Sequence, residues 1–116
     1  MSATQPDRLA PALEVASFLR LAEAHGGFGM VLHKGDESRG SLLLVILERG
    51  RQAGLLERSL GADGVYDWRV TGPRESDSAL ATQYVVRRSQ SDPDCWVVEL
   101  DIPFSKRFIA ETIGMT

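Results

Sequence analysis

The sequence predicts an α+β fold: a mainly antiparallel sheet of about five strands, two longer helices and a short C-terminal helix, in the order α-β-β-β-β-α-β-α. Three observations carry this prediction. A stretch rich in Ala, Leu and Glu runs from Pro11 to Gly26-Gly27. Short apolar or alternating segments separated by Gly, Pro and Asp follow it. One of these, Leu42–Leu47, is apolar at every position. A strand with no polar side must be covered on both faces, by a folded-over strand, by the last helix or by a second copy of the chain.

Each element has a local reason. Residues 1–8 are polar and read as a flexible N-terminal segment, with residues 9–116 as a single domain. Pro11 suits a first helical turn, where its missing N–H is no loss. Good helix formers then continue to His25, and the glycine pair ends the helix. At 100° per residue, Ala12, Val15, Phe18, Leu19 and Ala22 share one broad face, leaving Leu13 and Leu21 among polar neighbours. Phe28–His33 and Ser41–Arg49 flank the polar segment Lys34–Gly40 and read as a β-hairpin. Gly50 allows a further turn into Gln52–Leu60, and Gly61–Gly64 another into Val65–Val70, where Tyr66, Trp68 and Val70 alternate with Val65, Asp67 and Arg69. Strands joined by such short links are expected to pair antiparallel. Ser76 or Asp77 can cap a second helix that lasts to about Gln90. Its stripe is Leu80, Ala81, Tyr84, Val85 and Arg88. Asp92-Pro93-Asp94 ends that helix, because proline disfavours helix in the residue before it. Cys95–Ile102 alternates as a fifth strand, and Ser105 can cap a short helix over Lys106–Ile113.

Composition excludes some functions. Of 116 residues, 43% are hydrophobic and 25% charged, with net charge −3. An acidic total argues against generic nucleic-acid binding, which needs many cations on phosphate. The remaining route is one stripe of Arg49, Arg51, Arg58, Arg69, Arg87 and Arg88. The single cysteine cannot form an internal disulfide, and a reducing, cytoplasmic setting is expected. No apolar run of membrane-spanning length occurs and the N-terminus lacks an apolar signal core, so no membrane association is expected.

These landmarks resemble a known family. Leu19-Arg20 in a leading helix, a Lys34-Gly35-Asp36 turn with Gly40 after it, the string Asp92-Pro93-Asp94-Cys95-Trp96-Val97-Val98-Glu99 and the later Arg107-Phe108 resemble a bacterial family, mostly from alphaproteobacteria, known as domain of unknown function 1491. The Asp-Pro-Asp-x-Trp-Val-Val-Glu string is its most specific piece, and Gly61 to Thr82 departs most from the pattern. The resemblance implies a small stand-alone bacterial protein and carries no activity, cofactor or catalytic residue with it.

The residues themselves name no reaction. Two histidines and one cysteine, without CxxC, HxxxH or HExxH spacing, are too few for a zinc site, and neither metal nor cofactor is expected. No GxSxG elbow is present, and Cys95 beside Asp94 is held toward the unreactive thiol. Lys34–Gly40 is a glycine-bearing polar loop whose Lys34, Asp36, Glu37 and Arg39 could meet ions or a partner, and it lacks the Walker pattern. Arg88 lies on an apolar stripe, so its head is expected to reach a carboxylate, Glu99 or Asp101. Two functional readings follow. The first is a protein-association module or homodimer, on the strength of Leu42–Leu47 with Leu13 and Leu21 at the interface. The second is a small-molecule binder or small enzyme with a pocket formed by His33, Lys34, Asp36, Arg88 and Glu99.

Overall fold

The structure, a computed structural model, describes residues 10–38, 41–60, 62–72 and 78–112. The expected loose segment 1–8, Arg39 and Gly40 of the polar loop, the cap at Ser76 or Asp77 and the helix end at Ile113 lie outside these residues. The elements are α1 (Pro11–Ala24), β1 (Phe28–His33), β2 (Leu42–Glu48), β3 (Arg51–Leu60), β4 (Tyr66–Thr71), α2 (Ser78–Ser91), β5 (Trp96–Asp101) and α3 (Ser105–Thr112). The α+β order read from the sequence is the observed one.

Local chemistry sets the element ends. Pro11 opens α1, and the Leu13 and Glu14 amides donate to the Ala10 carbonyl. Gly26, at φ +83°, closes it, with the Gly27 amide bonded to Ala22 O and the Gly26 amide to Glu23 O. This is the pairing that a left-handed residue after the helix makes possible. Arg49 and Gly50 form the tight β2–β3 turn with φ of 54° and 79°. Such a mirror-image turn matches strand twist but strains a non-glycine residue. Asp101 holds it, its two carboxylate oxygens each accepting an amide, from Arg49 and Gly50, at 2.9 Å.

The strands form one sheet in the order β1-β5-β2-β3-β4. All neighbours are antiparallel except β2 and β5, which run parallel. The expected hairpin between Phe28–His33 and Ser41–Arg49 is therefore not formed, because β5 lies between its two arms. The reason is burial. Cys95, Trp96, Val97 and Val98 are buried in succession, on both faces of the sheet. Such a strand loses apolar area to water at an edge and gains most between two neighbours.

Leu42–Leu47 is covered on both sides. Leu42, Leu44 and Ile46 pack with Val15, Ala22, Leu56, Trp96, Val98, Leu100, Ile102 and Phe108, under α1 and α3. Leu43 and Val45 pack with Leu55, Cys95, Val97 and Ala81, under α2. The second layer thus comes from α2, and this strand requires no second chain to cover it. The predicted α1 face (Ala12, Val15, Phe18, Leu19, Ala22) is the one turned to the sheet.

Ser105 does not cap α3 as expected; it is the first helical residue and needs an acceptor itself. Glu48 Oε1 accepts the Ser105 hydroxyl at 2.7 Å and its amide at 3.1 Å. The hydroxyl, then the amide, hold the Glu48 carboxyl below its ordinary value. A depressed carboxylate stabilises the fold above its unfolded-state value and loses that contribution as pH falls through its folded value. Glu48→Ala is expected to lower Tm at neutral pH, and its difference from the parent is expected to close on acidification below the normal carboxylate range. Thermal melts across pH check this; a difference that grows in acid would refute it.

Candidate functional site

Two adjacent charges on β3 point to opposite faces of the sheet, and each is met by a helix. Arg58 faces α1, bonds Glu14 and lies over the Tyr66 and Trp68 rings, at 5.2 and 5.7 Å. Glu57 faces α2 and accepts from Arg88 Nη2 at 2.5 Å and Nε at 3.1 Å. The Tyr84 hydroxyl reaches Glu57 at 3.5 Å and Thr71 Oγ1 at 2.7 Å. Arg88 therefore finds its carboxylate on β3 rather than at Glu99 or Asp101 of β5. The Glu57 hydrogen bond keeps the guanidinium charged, against the opposing effect of burial. Burial likewise pushes the neighbouring Cys95 thiol up, opposed by Ser41 and Arg88.

Arg88 also joins the Asp92–Cys95 turn. Its Nη1 reaches Asp92 Oδ2 at 3.5 Å and its Nη2 reaches Ser41 Oγ at 3.2 Å. Asp92 Oδ1 accepts the Asp94 amide at 3.2 Å, the Asp94 carbonyl accepts the Asp36 amide, and the Trp96 amide bonds the Ser41 carbonyl. The Trp96 indole N–H donates to Asp36 O at 2.6 Å, and His33 Nδ1 bonds Cys95 O at 3.0 Å. The Asp-Pro-Asp-Cys-Trp string is thus a clasp joining the end of α2, the start of β5 and the loop after β1. Cys95 is buried at the inner end of this turn, where unpaired backbone groups are costly, and the turn's amides and carbonyls are answered by these contacts.

Of the five proposed pocket residues, His33, Asp36 and Arg88 meet around this turn. His33 and Asp36 engage its backbone, and Arg88 is committed to Glu57. Lys34 pairs with Glu37 at 3.7 Å in the open. Glu99 is opposite Met30 and Val45, four residues along β5 from Cys95, or about 13 Å. A shallow cleft of about 490 Å³ borders Tyr84, Arg87, Arg88, Gln90 and Ser91 on α2. Arg58 and Arg88 lie on opposite faces, so the six arginines do not form one stripe. Among the described residues no group of three or more His, Cys, Asp or Glu is placed to hold a metal ion, and no helix is long and apolar enough to cross a membrane.

Sequence reasoning missed the edge of the sheet. β1 is an outer strand, and Phe28, Met30, Val31 and Leu32 are 59, 51, 37 and 45% exposed. No charged residue occurs from Phe28 to Leu32. The opposite edge, β4, carries Asp67 and Arg69, as protected edges commonly do. The signal was present in the composition of β1, but the hairpin reading paired it with Ser41–Arg49 and left its outer side unconsidered.

The chain matches the family described as protein of unknown function (DUF1491) over residues 9–110. It is similar to the crystal structure of a DUF1491 family protein from Caulobacter crescentus CB15, with 30% identity over 83% of this chain and 90% of that chain and a TM-score of 0.72. The NMR structure of a DUF1491 family protein from the same organism gives 31% identity, 81% and 86% coverage and a TM-score of 0.71. The solution structure of a protein from A. tumefaciens gives 26% identity, the same coverages and a TM-score of 0.61. No curated protein matches. With the family's match running through nearly all of the fold described above, the chain belongs to the DUF1491 family of proteins of unknown function.

Proposed function

We propose that this protein is an association module that docks a partner strand along β1. The observation supporting this is the uncharged, exposed outer strand Phe28–Leu32. An outer strand offers free backbone donors and acceptors, and extended segments add to such edges by main-chain pairing, with side-chain contacts giving specificity. Soluble proteins ordinarily blunt an apolar edge with charge or proline, and β1 between Phe28 and Leu32 has neither. The association reading drawn from Leu42–Leu47 thereby moves to a different strand. The buried free thiol of Cys95 suits a reducing compartment such as the cytoplasm.

A photo-reactive residue placed at Met30 in living bacteria tests this, with Val70 on β4 as the control. Met30 is expected to yield one discrete covalent adduct and Val70 none. No adduct at Met30, or the same diffuse products at both sites, would overturn the reading.

A further inference from the structure

Building on that reading, we infer that the occupant of the β1 edge is a second copy of this chain, related by a two-fold axis. The two β1 strands pair antiparallel, and the two α1 helices pack side by side over the seam. Sheet geometry leads to this arrangement. α1 lies over β1 and β5, with the Leu19 side chain above Gly29. Strands are spaced about 4.8 Å apart, so an axis half a spacing beyond β1 lies about 5 Å from a helix centred between β1 and β5. The two α1 axes then stand about 10 Å apart, at the upper end of ordinary helix packing. Pairing the edges brings the β1-side flanks of the two helices toward each other. A lone extended peptide would leave that flank of α1 bare.

The flank is composed for such a contact. Turning from Leu19 toward β1 and away from the sheet, successive positions are Ala12, Glu23, Ala16, Arg20 and Leu13. Leu13 is 60% exposed, and Ala16 is small enough for close approach. In an antiparallel pair, Leu13 of one copy meets the Arg20–Glu23 end of the other and can cover the Arg20 stem. Leu21 lies on the opposite flank, with Glu14, and is outside this seam. On the strands, the antiparallel direction keeps each Lys34 away from its symmetry mate. Directly opposed residues share a face, so the axis passes through a residue, Met30 or Val31. The bulge between Val31 and His33 shortens the straight stretch of β1, and the helix contact supplies the remaining area.

Light scattering on the purified full chain at high micromolar concentration tests this. The expected mass is twice 12.7 kDa. Val31→Lys and Leu13→Glu are each expected to halve it while circular dichroism stays unchanged, and Val70→Lys is expected to leave it intact. Should Val31→Lys fail to fold, Met30→Cys and Val31→Cys provide a second readout. Under copper–phenanthroline oxidation at least one is expected to form a disulfide-linked dimer, and Val70→Cys neither. A monomeric parent, or a dimer indifferent to either substitution, would overturn the inference. A monomeric parent with a heavier adduct at Met30 in bacteria would overturn the second copy alone and leave the docking edge standing.

Discussion

Glu57→Ala is expected to lower the free energy of unfolding by about 3 kcal/mol, since removing one member of a buried pair strands the other without compensation. Arg88 would keep its charge under α2 with only the longer contacts to Asp92 and Ser41. The Tyr84 hydroxyl would lose an acceptor as well. The double variant Glu57→Leu with Arg88→Met is expected to recover most of that loss, because apolar groups of similar volume often replace a buried ion pair at little cost. Urea titrations of the parent, single and double variants check this. A single variant within about 1 kcal/mol of the parent would mean that water reaches Arg88 freely.

Leu43→Ala and Leu44→Ala are each expected to cost about 2–5 kcal/mol, the range for emptying a packed leucine site. The two side chains are fully buried on opposite faces, one beneath α2 and the other beneath α1 and α3. Comparable losses are the signature of a strand enclosed twice within one chain. If Leu43→Ala proved nearly silent, the α2 layer would be loosely seated and the cover it gives β2 incomplete. Chemical denaturation of both variants under the same conditions decides between these.

Much of the fold was legible because its cues are local. Pro11, Gly26 and Gly50 mark ends that depend on backbone geometry, and the α1 stripe follows from a helical period that no distant contact needs to supply. Strand order was less accessible. Phe28–His33 and Ser41–Arg49 have the polar, glycine-bearing link of a hairpin, and nothing nearby indicates that a strand more than forty residues later separates them. The cue was the succession Cys95-Trp96-Val97-Val98, read as simple alternation when its apolar character on both sides marks an interior strand. The candidate site was legible to a similar degree. Arg88 on an apolar stripe implied a carboxylate partner, correctly. Choosing Glu99 or Asp101 overlooked Glu57, one of two adjacent charges that directly follow the apolar pair Leu55-Leu56. A charge pair within an interior strand is itself a signal, since each member must be answered from a different layer.

That pair has a consequence for how the chain rejects wrong arrangements. Were β3 to slip by a single residue, every side chain on it would exchange faces. Glu57 would then confront Glu14, and Arg58 would confront Arg88. Both helices would meet repulsion at once, so neighbouring letters of opposite sign act as a parity check on assembly.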